Sequence, residues 1–85
     1  MERWYTYILE CADKTLYVGT TNNVKKRVAK HNAGTGAKYT RGRGPVKVRY
    51  KKLFKNRSRA CKYESELKRL PRSGKLELIN ARENS

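Results

Sequence analysis

Three short segments of the chain are rich in β-branched and aromatic residues, a composition typical of strands. The first is residues 4–10, WYTYILE, and the second is residues 15–19, TLYVG. Because turn residues 12–14 separate them, the two segments predict a hairpin. The third, residues 46–51, alternates apolar with basic side chains, which predicts a strand whose single solvent-exposed face carries only cations.

A first helix is predicted from capping residues and apolar spacing. Asn22 or Asn23 can accept a hydrogen bond at its start, near Val24. The helix is expected to run to about Asn32, and Gly34 closes it because glycine suits the backbone turn after a helix.

Two further helices follow the third strand. Ser58 can cap a helix over about residues 58–69, which Pro71 ends, and Ser73 can cap a shorter helix through Ile79. Three strands and three helices in this order predict one small α+β domain in which the helices cover a single sheet.

The charge balance is strongly basic, with 22 Lys and Arg against 7 Asp and Glu and a formal net charge of +15. Such a field attracts polyanions, so a nucleic acid is the expected partner, although a merely soluble basic protein has the same composition. No apolar run approaches the ~20 residues of a membrane span, and no signal peptide is recognisable. A cytoplasmic location with access to the nucleoid or nucleus is therefore expected. Cys11 and Cys61 are too far apart for a zinc pair and are expected to be buried thiols.

Charged and titratable side chains fall where the helices should be apolar. Arg27 and His31 lie on the stripe marked by Val24 and Val28, and they are neighbours at i, i+4. Arg27 could instead extend from the edge of the stripe into solvent, and His31 could be a hydrogen-bonded core residue. A small domain has little stability to offset polar groups in its interior, so these positions favour a functional explanation.

Glu64 occupies the same kind of position on the second helix, among Ala60, Tyr63 and Leu67. Its carboxylate could form a structural ion pair with Arg27, which would satisfy both charges without any chemistry. Because both helices direct such groups at the sheet, we expect them to meet the strand tyrosines in one pocket.

The segments that carry these residues resemble the GIY-YIG nuclease superfamily. The resemblance lies in Tyr5-Thr6-Tyr7 with Ile8-Leu9, in Leu16-Tyr17-Val18-Gly19, and in residues 23–31, NVKKRVAKH. Residues 36–43, GAKYTRGR, and 64–68, ESELK, are similar to the small stand-alone YhbQ-like or UPF0213 branch. That branch resembles the catalytic domain of Slx-type endonucleases. The match covers about residues 4–80, so residues 1–85 are expected to form a single GIY-YIG-like domain.

The resemblance implies a three-stranded antiparallel sheet flanked by about three helices, and a phosphodiesterase that uses one Mg²⁺ or Mn²⁺ ion. The catalytic residues it implies are Tyr7, Tyr17, Arg27, His31 and Glu64. Glu64 would bind the metal, and either Tyr17 or His31 would be the general base. Thr20 stands where some relatives carry a basic residue near the phosphate.

A separate basic loop and strand is predicted to contact the nucleic acid, with cations on phosphates and one tyrosine on an unpaired base. Its members are Lys38, Tyr39, Arg41, Arg43, Lys47, Arg49 and Lys51. The leading hypothesis is a DNA endonuclease or nickase for branched or partly single-stranded DNA in repair or recombination, with a protein partner for targeting. The alternative is a nucleic-acid-binding module with weak or no catalysis, and a structural RNA-binding protein comes third.

Overall fold

A computed structural model of the protein describes residues 3–36 and 42–83. Strand β1 spans Trp4–Glu10, β2 spans Leu16–Thr21 and β3 spans Lys47–Phe54. They form one antiparallel three-stranded sheet in the order β2-β1-β3, so β1 is central and β2 is an edge. The predicted α+β fold and the hairpin are confirmed, and β2 and β3 both extend beyond their predicted ends.

Helix α1 spans Val24–Asn32, as the capping pattern predicts. The side chain of Asn23 accepts a hydrogen bond from the backbone N–H of Lys26, which satisfies one of the unpaired donors at the helix start. Gly34 follows the helix with φ +80°, a backbone conformation that glycine adopts without strain.

Helix α2 spans Arg57–Arg69 and α3 spans Arg72–Glu83. Ser58 and Ser73, predicted as caps, both lie inside the first helical turn. The cap of α2 is Asn56, whose side chain accepts from the third helical N–H. Asn binds this donor at least as well as Ser, so the helix begins at the earlier residue. Within the described ranges, the helices lack the length and apolar character needed to cross a membrane.

The core is divided between the two faces of the sheet, because successive side chains of a strand point to opposite sides. On one face, which we call the α1 face, the cluster contains Tyr7, Leu9, Cys11 and Val46, with Val28 of α1 packed on it. On the other, the α2/α3 face, the cluster contains Ile8, Val18, Leu67 and Ile79.

Strand β3 changes face part-way along its length. Leu9 pairs with Val48 and Ile8 pairs with Tyr50, so Arg49 is the extra residue of a β-bulge. Val48 packs on the α1 face and Tyr50 on the α2/α3 face, although uninterrupted alternation would put both on one side. The prediction of a single cationic face was wrong for this reason.

The cysteines differ in their surroundings, and neither is in a disulfide. Cys11 is buried, whereas Cys61 is only half-buried on α2. The expectation of two buried thiols is therefore confirmed for Cys11 alone.

Candidate active site

Three of the predicted site residues meet on the α1 face. Tyr7 lies at the centre of β1, Tyr17 on β2 and His31 near the end of α1. The Tyr7 hydroxyl is 3.3 Å from Nε2 of His31. The rings of Tyr17 and His31 meet edge to face with centroids 5.3 Å apart, and those of Tyr7 and Tyr17 are 6.5 Å apart.

Two glycines allow the aromatic rings to pack this closely. Gly19 faces Tyr7 directly across the β1–β2 pair, and a Cβ at residue 19 would lie 2.6 Å from Cζ of the Tyr7 ring. A Cβ at Gly36 would lie 2.6 Å from Nδ1 of His31. Because carbon atoms do not approach so closely, any side chain at either position would displace a site residue.

Tyr7 and His31 form the buried, uncharged part of the cluster, each with 1% of its surface exposed. Burial raises the pKa of the Tyr7 hydroxyl, while a hydrogen bond with Arg27 acts in the opposite direction. Burial lowers the pKa of His31, and the charge of Arg27 lowers it further. The phenol therefore keeps its proton at neutral pH, and the imidazole is neutral. Tyr17 differs from both because it is only half-buried.

Arg27 lies one helical turn before His31 and is half-buried. Its guanidinium is close enough to influence the pKa of both Tyr7 and His31. It also lines an open depression of about 200 Å³ together with Lys26 and Lys30. Arg27 therefore borders both the ring cluster and a cationic concavity on α1.

Glu64 projects from helix α2 and contacts strand β2. Its Oε1 accepts a hydrogen bond of 2.6 Å from the Thr20 hydroxyl, and its Oε2 lies 2.8 Å from Nζ of Lys68. The ion pair that could have joined this carboxylate to Arg27 is therefore made with Lys68. The Glu64 side chain is 21% exposed, so solvent reaches the carboxylate.

The carboxylate and the rings belong to opposite layers of the sheet. Alternation along β2 puts Tyr17 and Gly19 on the α1 face and Thr20 on the α2/α3 face. Only the edge strand β2 separates the two groups. The charge of Glu64 contributes to the raised pKa of Tyr7, although burial contributes most. The Glu64 carboxylate also raises the pKa of Lys68, and Tyr17 adds to that effect.

Sequence reasoning did not identify Thr20 or Lys68 as partners of Glu64. Lys68 is at i+4 from Glu64, a spacing that could have revealed the pair. Thr20 could not be found in this way because it lies 44 residues from Glu64. Its role depends on how the sheet and α2 pack together. Lys68 of α2 also places a cation near Thr20, because both side chains contact the Glu64 carboxylate.

The donor set fits a hydrated magnesium or manganese ion. Among residues 3–36 and 42–83, no three His, Cys, Asp or Glu side chains cluster in a way that could hold a metal alone. Mg²⁺ usually keeps several waters and needs only one or two carboxylates plus substrate phosphates. Glu64 can serve as that carboxylate if Lys68 moves, and the Lys68 side chain is 56% exposed.

The predicted nucleic-acid contacts are described only in part. Lys38, Tyr39 and Arg41 lie outside the described residues. Arg43 is described, and its Nη1 lies 2.7 Å from Oδ2 of Asp13. This pair joins the segment just before β3 to the β1–β2 turn.

The remaining cations of this set are divided between the faces of the sheet. Lys47 and Arg49 approach Oε1 of Glu10 at 3.9 and 3.3 Å. Lys51 pairs with Tyr7 and lies on the α1 face, with its Nζ 5.7 Å from the centroid of the Tyr5 ring. Because Glu10 lies on the opposite face from Tyr7, the cations Lys47, Arg49 and Lys51 do not form one continuous row.

A model of the GIY-YIG catalytic domain matches residues 3–77, nearly the whole chain. The chain belongs to the GIY-YIG family. It is 53% identical over 78 residues to a UPF0213 protein of Clostridium perfringens, covering 92% of this chain and 84% of that protein. It is 52% identical over 82 residues to a UPF0213 protein of Oceanobacillus iheyensis, covering 96% and 95%.

Solved structures of similar proteins have the same fold. The solution structure of a UPF0213 protein from Bacillus halodurans matches with a TM-score of 0.60 and 43% identity, covering 93% of this chain and 84% of that one. A protein from E. faecalis matches with a TM-score of 0.65 and 36% identity, covering 100% and 91%. These relatives confirm the resemblance to the UPF0213 branch of the GIY-YIG family.

Proposed function

We propose that this GIY-YIG protein is a divalent-metal-dependent endonuclease that nicks DNA by hydrolysing phosphodiester bonds. The observation that carries the proposal is the grouping of Tyr7, Tyr17, Arg27 and His31 against β2, with Glu64 beside the same strand. The net charge of +15 suits a polyanionic substrate. Its expected setting is repair or recombination of branched or partly unpaired DNA in the cytoplasm or nucleoid.

Exposure separates the residues that touch the substrate from those that position them. Tyr17, Arg27 and Glu64 are half-buried, so their polar atoms can meet a phosphate or a water. Tyr7 and His31 are buried behind them and act as positioning residues. This difference favours Tyr17 over His31 as the group that accepts the proton of the attacking water. The neutral His31 ring holds Tyr17 by the edge-to-face contact.

Arg27 and the bound metal would stabilise the negative charge on the reacting phosphate. Arg27 would hold the scissile phosphate by charge-assisted hydrogen bonds and oppose the negative charge that grows in the transition state. Glu64, oriented by the Thr20 hydroxyl, would hold Mg²⁺ or Mn²⁺. When bound, such an ion lowers the pKa of water and neutralises phosphate charge.

Lys68 competes with the cation for Glu64, so Lys68→Met should tighten metal binding. An exposed ion pair contributes up to ~1 kcal/mol, which corresponds to about fivefold in affinity. The measurement is Mn²⁺ titration of the DNA-free protein by calorimetry or electron paramagnetic resonance. Lys62→Met, which removes the same charge from an exposed position on α2, is the control. Equal affinities in the two variants would contradict the competition.

Supercoiled plasmid tests the proposed activity directly. We expect the protein to convert it to the nicked form with Mg²⁺ or Mn²⁺, and EDTA to stop the conversion. The second candidate function is a nucleic-acid-binding module, favoured by the fact that both Glu64 oxygens already have partners within the protein. Tight plasmid binding with no nicking in either metal would select that candidate.

A further inference from the structure

We propose that the protein has a second nucleic-acid site, which takes an unpaired strand, at the β3 end of the α2/α3 face. Its platform is a row of three aromatic rings, hereafter the aromatic row: Trp4, Phe54 and Tyr63. Trp4 pairs with Phe54 across β1 and β3, and the Phe54 and Tyr63 rings have centroids 5.3 Å apart. All three rings are half-buried, so part of each remains open to solvent.

Each ring of the aromatic row has a cation over it. Nζ of Lys52 lies 5.0 Å from the Tyr63 centroid and 5.7 Å from the Phe54 centroid. The guanidinium of Arg57 lies 5.4 Å from the Trp4 centroid. Aromatic rings alternating with cations suit a nucleic-acid strand, because bases stack on the rings while the cations pair with phosphates.

The row opens into a depression large enough for a ligand group. The depression has a volume of about 430 Å³ and is lined by Phe54, Tyr63, Arg59, Lys62 and Glu66. Ligand sites commonly measure ~300–1,000 Å³. Arg59 and Lys62 supply further phosphate contacts, and the Glu66 carboxylate can accept from a base amino group.

The platform is held rigidly in place. The hydroxyl oxygens of Tyr63 and Tyr50 are 2.8 Å apart, and burial, aided by this bond, raises the pKa of Tyr63 so that it stays neutral. A preorganised ring loses little conformational entropy when a base stacks on it. The Tyr63 ring can therefore receive a base without moving itself, while the Lys52 side chain turns from the ring to a phosphate.

This site is separate from the candidate active site. Strands β2 and β3 are the opposite edges of the sheet. Phe54 of the aromatic row lies on β3 and Trp4 on the central β1, whereas Tyr17 lies on β2 and Glu64 contacts Thr20 of that strand. A spacing of ~4.8 Å between strands puts the two edges about 10 Å apart. The proposal holds whether or not the protein cuts DNA. If it does cut, the substrate would carry an unpaired segment next to the scissile phosphate.

Trp4 provides the readout, since it is the only tryptophan of the chain. The experiment titrates protein in EDTA with a 12-nucleotide oligo(dT) and with an abasic strand of equal length, following tryptophan emission and anisotropy of a labelled strand. We expect oligo(dT) to quench Trp4 and to bind about tenfold more tightly than the abasic strand. Equal affinity for the two strands, or unchanged emission at saturation, would overturn the proposal.

Charge reversal localises the site. Arg59→Glu with Lys62→Glu should weaken oligo(dT) binding about tenfold or more at low salt. Lys14→Glu with Arg72→Glu makes the same change in net charge at exposed positions away from the aromatic row, and should weaken binding far less. Equal losses in both double variants would mean that only total charge matters, which would contradict a built site.

Phe54→Leu tests stacking without a change in charge. It removes one ring and keeps an apolar side chain, so we expect oligo(dT) affinity to fall several-fold while affinity for the abasic strand stays the same. Thermal unfolding followed by circular dichroism verifies the fold of this variant. If Phe54→Leu unfolds, Lys52→Met serves instead, because it leaves every ring in place and removes the cation over two of them. Undiminished binding by the folded variant would overturn the proposal.

Discussion

Replacing Glu64 with alanine is expected to abolish metal-dependent nicking, lowering the rate by about a thousandfold or more. The Glu64 charge reaches Tyr7, and the described residues contain no cluster of three His, Cys, Asp or Glu side chains that could hold the metal instead. The measurement is the initial rate of plasmid nicking across a range of Mg²⁺ concentrations.

Glu64→Ala should lose activity because it loses the metal ligand, and not because it unfolds. The variant leaves the Thr20 hydroxyl without its acceptor, which costs about 1 kcal/mol, and leaves Lys68 in solvent. Thermal stability and DNA affinity in EDTA should therefore change little. Glu77→Ala, an exposed carboxylate on α3, is the matched control and should nick at the normal rate. Cleavage that persists in Glu64→Ala would rule out this metal site.

Replacing Arg27 with alanine is the second large effect that we expect. Loss of one preorganised charge at the reacting phosphate typically costs ~10²–10³ in rate, so the rate constant for cleavage should fall by about that factor. Arg27→Lys should recover only part of the rate, because an ammonium cannot grip a phosphate by two parallel hydrogen bonds. The measurement is single-turnover cleavage of a labelled duplex.

A control on the same helix separates this role from general attraction of DNA. Lys25→Ala removes one positive charge from an exposed position of α1 and should weaken binding slightly without changing the single-turnover rate at saturation. If Arg27→Ala behaves in the same way as Lys25→Ala, Arg27 is a surface cation rather than part of the reacting site.

Local patterns were sufficient to predict the strands and the first helix. Asn23 and Gly34 flank α1 in the sequence, and each acts only on the helix end beside it. The face change of β3 could not be predicted in the same way. It arises from the extra residue Arg49, and the register that creates this bulge depends on contacts between segments about 40 residues apart.

The sequence indicated which residues to consider for the candidate site, but not which face of the sheet each of them occupies. The positions of Arg27 and His31 on an apolar stripe foretold that they face the sheet, because helical spacing fixes that direction. The same reasoning could not reveal that Glu64 approaches from the other layer. That relation follows from which face of β2 carries Thr20, and a shift of one residue in register would reverse it.

Among the described residues, β2 is an edge strand whose outer side pairs with no other strand. Exposed strand edges invite pairing with other chains, and proteins usually cover or charge them. Under the proposed function, the groups from the two layers would meet a single phosphodiester around that edge. An extended peptide that pairs with the backbone of β2 would therefore, under the proposed function, block this approach and inhibit the protein.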